Sequence, residues 1–290
     1  MKVLTFADLH LRGTVPSCVN ETPTKWMEIQ KQALNKVVFI AVENGVEGVY
    51  VGGDIFHSET SCTFECINMF IDFVLDLKNA GIPVFVLFGN HDLYGHSSEY
   101  ISKSAVGILQ NHPYIHKMTS EESYIHGCDF DKDNYDGHSY IFKHVLCIPK
   151  EQKADFIECE TPETLLGKFP KARYIFTGDY HQKFAYQNNG RFVINSGCLT
   201  KQASDFKDYE TGVFVVDTNI NDIKWCPVNI PQKFVENGNK KADKTIEDFA
   251  NGIKKETVTL DFVSTLKKES ESQKKPIRDK VDEWIKEIGQ

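Results

Sequence analysis

Residues 1–92 alternate between short apolar runs and longer helical segments, and this alternation restricts the fold more than any other feature of the chain. The apolar runs are KVLTFADLH, GVYVGGD and IPVFVLFGNHD, separated by TKWMEIQKQALNKVVFIAVENG and TFECINMFIDFVLDLKNAG. A β–α–β–α–β order predicts a largely parallel sheet with helices packed on its faces. Apolar residues at helical spacing predict the buried face of the first helix: Trp26, Ile29, Ala33, Val37 and Ala41.

The region after about residue 124 carries shorter β-like runs. These runs are SYIHGCDFD, HSYIFKHVLCIP, ARYIFTGDYH, RFVINSGC, ETGVFVVDT and DIKWCPVNI. They predict a second sheet that is more antiparallel than the first and packs against it. The predicted fold class is therefore α/β, with two packed mixed β-sheets flanked by helices.

The composition changes near residue 233, where the chain becomes rich in lysine and glutamate and poor in aromatic residues. We therefore predict a main domain over residues 1–232 and a helical C-terminal extension over residues 233–290. Pro276 precedes a segment with one apolar stripe at helical spacing. The stripe contains Ile277, Val281, Trp284, Ile285 and Ile288. Two interpretations stay open: a helix that folds back on the core, or a helix that binds a partner.

Composition and charge argue against several classes of protein. The chain has 290 residues and a formal net charge of −8, which argues against binding nucleic acid through a general basic field. No apolar run is long enough to cross a membrane, and the N-terminal sequence lacks the features of a signal peptide. The eight cysteines are scattered and include no CxxC pair, which is typical of reduced thiols. We expect a cytoplasmic protein.

Polar side chains follow each early apolar run and one later run. Asp8 and His10 follow the first, Asp54 and His57 the second, Asn90, His91 and Asp92 the third, and Asp179 and His181 follow IFTG. The carboxyl ends of strands in open α/β sheets line the ligand crevice, so these side chains should converge. Oxygen and nitrogen donors of this kind suit Mn²⁺, Fe²⁺ or Zn²⁺. Two such ions can hold a phosphoryl group and lower the pKa of a water, so we expect phosphoester hydrolysis.

The four motifs ADLH, GGDIFH, GNHD and GDYH, in this order and spacing, resemble the signature of the calcineurin-like metallophosphoesterases. Each motif alone would be weak, but the set is specific. GDIFHS followed by a helix, GNHD in place of GNHE, and the lack of a GDxVDRG pattern are similar to the SbcD-type branch. That branch contains bacterial and phage relatives of the double-strand-break repair nuclease. The resemblance covers about residues 1–220 and implies the metallophosphoesterase fold.

The resemblance implies roles for the residues of the first metal site. Asp8, His10 and His181 would hold the first ion, and Asp54 would bridge the two ions. Both ions are expected to be divalent, and Mn²⁺ is the cofactor that the resemblance favours, with Mg²⁺, Fe²⁺ and Zn²⁺ as alternatives.

The second site departs from the family pattern at one position. The resemblance implies that Asn90 is a ligand, together with a histidine from a strand between GNHD and GDYH. His144 in IFKHVLCIP is the stronger candidate, because His138 precedes the strand. Asp179 stands where the family has the first histidine of GHxH, so the resemblance implies that Asp179 is a ligand of the second metal. A carboxylate there predicts a bias toward Mn²⁺ or Mg²⁺ over Zn²⁺.

Two further histidines match family positions beside the metals. The resemblance implies that His91 protonates the leaving oxygen or steadies the phosphate in the transition state. It implies that His57 orients substrate or assists the metals, although a histidine that is only hydrogen-bonded at a strand end is the alternative. The remaining unmatched histidines are interpreted as surface or packing residues: His96, His112, His116 and His126.

The resemblance predicts a two-metal DNA nuclease of bacteria or phage-infected cells, with 3′ to 5′ exonuclease and single-strand endonuclease activity in repair, recombination or replication. The implied partners are DNA and an SbcC-type coiled-coil ATPase, for which Trp284, Ile277 and Val281 would form the docking site. A homodimer stays open. The alternatives are a phosphodiesterase or phosphatase acting on nucleotides or phosphoproteins, and a non-catalytic scaffold that binds DNA ends.

Overall fold

The computed structural model describes residues 1–118, 125–128, 138–153 and 158–235, of which 125–128 are described by their backbone. The described residues belong to one compact unit, Met1–Val235. The predicted boundary at residue 232 stays a prediction. The predicted partner-binding residues Ile277, Val281 and Trp284 lie outside the described residues. No helix in the described ranges is long and apolar enough to cross a membrane.

The described residues form strands and helices in the alternating order predicted for the first half of the chain. The strands are β1 (Lys2–Phe6), β2 (Gly48–Gly52), β3 (Val84–Leu87), β4 (Ile115–Lys117), β5 (Ile125–Cys128), β6 (Tyr140–His144), β7 (Tyr174–Gly178), β8 (Phe184–Asn188), β9 (Arg191–Asn195), β10 (Gly212–Asp217) and β11 (Asp222–Pro227). The α-helices are α1 (Pro23–Asn44), α2 (Phe64–Asn79), α3 (Val106–Leu109) and α4 (Pro162–Lys168). Short 3₁₀ helices span Tyr94–His96, Ser98–Lys103, Lys150–Gln152 and Ser204–Phe206.

The first sheet has six strands in the order β11-β10-β1-β2-β3-β4. Strands β1 to β4 are parallel to one another, which confirms the predicted β–α–β–α–β core. Strand β10 pairs antiparallel with β1 and with β11, so the sheet is mixed. This last pairing differs from the sequence-based prediction, which placed β10 and β11 in the second sheet. Period-two hydrophobicity marks a strand but does not name its neighbour, and β10 covers the edge of β1 that β2 does not use.

Helix α1 shows why the first helix begins and ends where it does. The Thr22 side chain accepts a hydrogen bond from the Lys25 backbone nitrogen, and Pro23 occupies the first helical position. Gly45 ends the helix with a left-handed φ of 58°, a conformation that suits glycine. The predicted inward face is confirmed, because all five of its residues are fully buried: Trp26, Ile29, Ala33, Val37 and Ala41.

The second sheet has five strands in the order β5-β6-β7-β9-β8. Strands β5, β6, β7 and β9 are parallel, and only β8 pairs antiparallel, with β9. The expectation of a more antiparallel sheet was therefore wrong. Parallel neighbours need a long crossover, usually through a helix, and α4 lies between β6 and β7. Residues 145–173 were long enough to indicate such a crossover.

The two sheets pack face to face through a stack of aromatic rings. Tyr50 of β2 stacks on Phe142 of β6 with ring centroids 4.8 Å apart, and Phe142 stacks on Phe176 of β7 at 4.4 Å. These large, buried rings supply much of the apolar area between the sheets. Helices α1 and α2 pack on the other face of the first sheet, and α4 packs on the second. This arrangement of two mixed sheets flanked by helices confirms the predicted fold class.

Candidate metal centre

The predicted metal ligands follow strands of both sheets at the same edge of the molecule. Asp8 and His10 follow β1, Asp54 follows β2 and Asn90 follows β3; His144 ends β6, and Asp179 and His181 follow β7. Parallel strands bring their carboxyl ends to one edge, and the packing of the two sheets brings both edges together. The structure therefore brings side chains separated by up to 171 residues within hydrogen-bonding distance.

Four of these residues have left-handed backbones. The φ angle is 55° at Asp8, 45° at His10, 51° at Asp54 and 76° at Asp179. Left-handed φ is uncommon outside glycine, although Asp and His adopt it more readily than most residues. Residues held in such conformations cluster at functional sites, where the surrounding structure maintains them.

One group of side chains consists of Asp8, His10 and His181. Their potential ligand atoms all lie within 4.8 Å of one another. The Nε2 atoms of His10 and His181 are 3.0 Å apart. Asp8 Oδ2 and His10 Nδ1 are buried and have no hydrogen-bond partner. These are the three residues predicted for the first metal ion.

A second group consists of Asp8, Asp54 and His144, again within 4.8 Å. His144 Nδ1 donates a hydrogen bond to the backbone oxygen of Gly52 at 2.8 Å. This bond places the proton on Nδ1 and leaves Nε2 as the ligand atom. Nε2 lies 3.1 Å from Asn90 Oδ1 and 3.4 Å from Asp54 Oδ1. His138 lies at the amino end of β6 and is in none of the described groups, so the geometry favours His144 over His138 as the second-site histidine.

Asp54 belongs to the second group and also approaches His10 of the first. Its Oδ1 atom is 3.4 Å from His144 Nε2, and its Oδ2 atom is 3.6 Å from His10 Nε2. Oδ1 also accepts a hydrogen bond from the His91 backbone nitrogen at 3.0 Å, whereas the buried Oδ2 has no hydrogen-bond partner. Each carboxylate oxygen therefore faces a different histidine, as a bridging ligand requires.

The third group contains His10, His57 and His91. His91 Nδ1 donates to the backbone oxygen of His57 at 2.9 Å, so its Nε2 atom is the one that can exchange a proton with a substrate. The His91 ring lies 4.9 Å from the His10 ring and 5.7 Å from the His57 ring. His91 and His57 therefore lie beside the two ligand groups, where the sequence predicted them.

Asp179 lies at the margin of the centre. It is half-buried and belongs to none of the three groups among the described residues. Its backbone nitrogen donates to Asp8 Oδ1 at 2.9 Å. Its negative charge contributes to the raised pKa of His144. Asp179 thus contacts one ligand group through its backbone and affects the other through its charge.

The buried groups strongly perturb one another. Burial raises the pKa of Asp8 to about 6. Burial would also raise the pKa of Asp54, but His144 and His10 lower it below its usual range. Burial would lower the pKa of His144, yet the Asp54 carboxylate raises it to about 10. The same burial lowers the pKa of His10 well below its ordinary value. A nearby cation would therefore stabilise the ionised form of the buried carboxylates in this centre.

The donor set fits divalent metal ions. Two orphaned buried carboxylate oxygens point to ligands that no protein group satisfies: Asp8 Oδ2 and Asp54 Oδ2. Carboxylate, imidazole and amide donors without a thiolate suit Mn²⁺, Fe²⁺ or Zn²⁺. The residues present therefore fit a centre with two divalent ions.

The comparisons with known proteins identify the family. A sequence model described as calcineurin-like phosphoesterase matches residues 1–194, which include all seven predicted ligands. The chain belongs to the calcineurin-like phosphoesterase family. This assignment shows metal-dependent phosphoester hydrolysis as the chemistry of the domain and a dinuclear divalent metal centre as its cofactor.

Solved structures show distant likenesses to this phosphoesterase. A Thermus thermophilus protein is 12% identical over 79% of this chain and 99% of its own, with a TM-score of 0.46. A structure described as a novel archaeal phosphodiesterase is 14% identical over 78% and 99%, with a TM-score of 0.42. A hypothetical protein from Pyrococcus horikoshii is 16% identical over 89% and 94%, with a TM-score of 0.45.

Glycines of the phosphoesterase allow its strand ends to approach the centre. A Cβ atom on Gly89 would lie 2.1 Å from Asp54 Oδ1 and 2.7 Å from His144 Nε2. A Cβ atom on Gly53 or Gly178 would lie 2.5 Å or 2.6 Å from His144 Nδ1. Each motif glycine thus provides the space that a ligand side chain occupies.

Some residues that support the phosphoesterase centre had no assigned role in the sequence. Asp92 is fully buried and accepts hydrogen bonds from the backbone nitrogens of Ile55, Phe56 and Gly89 at 3.0–3.1 Å. Its place in GNHD was the available signal. The Gln202 amide donates to the backbone oxygens of Leu9 and His10 at 3.2 and 3.1 Å, and no motif indicated it.

His96 also lies closer to the centre than its interpretation as a surface or packing residue suggested. Its Nδ1 atom donates to the backbone oxygen of Asn90 at 3.0 Å, although the side chain is exposed. His112 and His116 contact aromatic rings, those of Tyr114 and Phe85, as packing residues do. His126 lies in β5, whose side chains are not described.

Proposed function

We propose that this phosphoesterase is a two-metal DNA nuclease that hydrolyses phosphodiester bonds. The observation that carries the two-metal part is the position of Asp54, whose two oxygens face His10 and His144 at 3.6 and 3.4 Å. The choice of DNA is supported by the GDIFHS and GNHD motifs and by the lack of a GDxVDRG pattern, which resemble the SbcD-type branch.

In the proposed reaction the protein holds two ions through separate side-chain sets. Asp8, His10 and His181 would hold one ion, Asn90, His144 and Asp179 the other, with Asp54 shared. When bound, the two ions offset charge on the phosphoryl group and lower the pKa of water. Asp179 adds negative charge at the second set, which supports a preference for Mn²⁺ over Zn²⁺.

The protein's own acid–base group is His91. Its Nδ1 proton is held by the His57 backbone oxygen, so Nε2 is the atom that gives a proton to the leaving oxygen. The His57 ring lies nearly parallel to the His91 ring, with centroids 5.7 Å apart. Burial and the Arg12 charge lower the pKa of His57 to about 4, so His57 is neutral at pH 7 and does not repel a proton on His91.

A nuclease assay with Mn²⁺ tests this proposal on end-labelled duplex and single-stranded DNA. We expect cleavage of both, from 3′ ends on duplex, and a loss of about 10²- to 10⁴-fold in kcat for His91→Ala. Equal cleavage by the variant and the parent would contradict the role of His91. If bis-p-nitrophenyl phosphate is hydrolysed but DNA is not, the substrate is a nucleotide or a phosphoprotein. If neither is cleaved with any divalent ion, the chain is a scaffold.

The resemblance also supports an SbcC-type ATPase as partner and the cytoplasm of a bacterium or phage-infected cell as the site of action. The proposed docking residues are Trp284, Ile277 and Val281. Deletion of residues 270–290 should abolish binding to the ATPase in a pull-down while Mn²⁺-dependent hydrolysis persists. A deletion variant that loses solubility would instead indicate that the segment packs on the core.

A further inference from the structure

We propose that Tyr94, Tyr100 and Lys103 form a platform on which this enzyme stacks unpaired nucleobases of the strand that it cleaves. The proposal rests on the nuclease function proposed above and defines how its substrate is held. The two tyrosines are 41% and 44% exposed and lie next to each other.

The three side chains form one continuous surface. The Tyr94 and Tyr100 ring centroids are 6.4 Å apart, and the rings are perpendicular at 89°. Lys103 Nζ lies 4.7 Å from the Tyr100 centroid and 5.4 Å from the Tyr94 centroid. Within the described residues Lys103 makes no ion pair, so its charge is held by the rings and is available to a phosphate.

The platform is fastened to the metal centre. Tyr94 follows the GNHD motif by two residues, and Leu93 between them is fully buried. The Tyr94 backbone nitrogen donates to Ser104 Oγ at 2.8 Å, which closes the segment into a loop. The His96 imidazole donates to the Asn90 backbone oxygen at 3.0 Å. The platform therefore keeps a fixed position relative to Asn90 and His91.

The chemistry of the surface fits a single strand. Aromatic side chains stack on any nucleobase, and a neighbouring cation binds the backbone phosphate, so the combination holds unpaired nucleic acid without reading its sequence. The net charge of −8 offers no general attraction to DNA, so affinity must come from such local contacts. Bases in a duplex are already stacked and paired, so the platform should favour single strands and frayed ends.

A binding experiment without hydrolysis tests the platform. Fluorescence anisotropy in EDTA and low salt would compare a labelled single-stranded oligonucleotide with the same oligonucleotide carrying abasic sites. The parent should bind the base-containing strand about ten-fold more tightly for each stacked base. Tyr94→Ala and Tyr100→Ala should each weaken binding of that strand by about ten-fold and leave binding of the abasic strand nearly unchanged, whereas Tyr94→Phe and Tyr100→Phe should bind like the parent.

Two further variants separate stacking from general surface effects. Lys103→Gln should reduce the slope of log K against log salt by about 0.7, as expected when one phosphate contact to a single strand is lost. Tyr114→Ala is the matched control, because Tyr114 is 40% exposed with Lys78 Nζ 5.0 Å from its ring. Tyr114 precedes β4 and lies at the end of the parallel sheet opposite the metal centre. The Tyr114→Ala variant should bind the base-containing and the abasic oligonucleotides like the parent.

The outcomes distinguish this proposal from the nuclease function. If the parent cleaves DNA with Mn²⁺ but binds both strands equally, the platform is wrong and the nuclease function stands. The platform is also wrong if the alanine variants keep the preference for bases, if the phenylalanine variants lose it, or if Tyr114→Ala loses it too. If the parent neither binds nor cleaves any oligonucleotide, both proposals fail together.

Discussion

At the scale of single residues, Gly89 shows how little space the centre leaves. A methyl group at this position would lie 2.1 Å from Asp54 Oδ1, so Asp54 or the backbone must move. We expect Gly89→Ala to lose at least about 100-fold in Mn²⁺-dependent hydrolysis, since displacements of about 1 Å can have effects of this size. The measurement is kcat with bis-p-nitrophenyl phosphate, together with Mn²⁺ affinity by calorimetry.

Gly167→Ala is the control for this substitution. Gly167 lies in α4, where an added Cβ atom meets nothing within 4 Å. This variant should keep parental activity and gain slightly in stability, because alanine favours helices. Parental activity in Gly89→Ala would show that the centre can rearrange around a methyl group.

Asp179 allows a second test at the same scale. Asp179→His restores the residue type that the family resemblance implies, and a histidine tolerates the φ of 76° better than most residues. We expect the variant to gain affinity for Zn²⁺ relative to Mn²⁺, because an imidazole replaces a harder carboxylate. Competition calorimetry with the two ions measures this ratio. An unchanged ratio would mean that Asp179 does not act as a ligand.

The residues that the sequence could predict are those that belong to strand-end motifs. Asp8, Asp54, Asn90 and His181 were placed together because parallel strands end at a common edge. Asp92 and Gln202 act through backbone groups of other loops, and such contacts depend on three-dimensional proximity that no local pattern records. Tyr94 and Tyr100 carry no motif either, since two tyrosines six residues apart reveal nothing until the loop brings them together.

At the scale of elements, Asp92 joins the loop after β3 to the loop after β2. Its carboxylate accepts three backbone hydrogen bonds, from Ile55, Phe56 and Gly89. Asp92→Ala leaves these buried donors without a partner and should lower the free energy of unfolding by at least about 3 kcal/mol. Asp92→Asn keeps one acceptor oxygen and should cost less, about 1–2 kcal/mol. Urea denaturation measures both values.

An exposed aspartate on a helix provides the comparison for Asp92. Asp72 lies on the exposed side of α2, and Asp72→Ala should change the free energy of unfolding by less than about 0.5 kcal/mol. If Asp92→Ala were as mild as Asp72→Ala, water would have to replace the carboxylate between the two loops.

The sequence predicted the helices and strands themselves better than it predicted which strands pair with one another. Helix α1 could be read from apolar spacing, the proline and the glycine at its end. The register of β10 against β1 could not, because it joins residues 2–5 to residues 214–217. Alternating hydrophobicity gives a strand its inward face but leaves open which of two packed sheets it joins.

At the scale of the whole molecule, the centre draws ligands from both sheets, so metal binding should stabilise the entire domain. At a free Mn²⁺ concentration of one hundred times Kd, the gain is about 2.7 kcal/mol. This corresponds to a rise in Tm of about 5–10 °C for a domain of this size. Thermal denaturation with Mn²⁺ and with EDTA measures the difference. The Asp54→Asn variant should lose most of this Tm difference. If the parent had the same Tm with Mn²⁺ and with EDTA, the ions would make no contribution to its stability.

The stabilisation should depend on pH in a definite direction. Burial raises the pKa of Asp8 from 3.8 to about 6 in the metal-free protein. Protonated Asp8 therefore supports the metal-free fold fully below pH 3.8, and this support is lost as the pH rises through 6. Mn²⁺ requires the ionised carboxylate, so the Tm difference between Mn²⁺ and EDTA should grow between pH 5 and pH 7.

The position of β10 beside β1 has a consequence for synthesis on the ribosome. The first strand made is held between β2 and a strand that ends at Asp217, and His10 meets His181 only after most of the domain has been translated. A nascent chain that stops before these residues leave the exit tunnel can hold Asp8, His10, Asp54 and Asn90, but it lacks His181 and the strand that pairs with β1. We therefore expect phosphoester cleavage only after His181 and β10 have been translated, and we expect products truncated before them to be inactive.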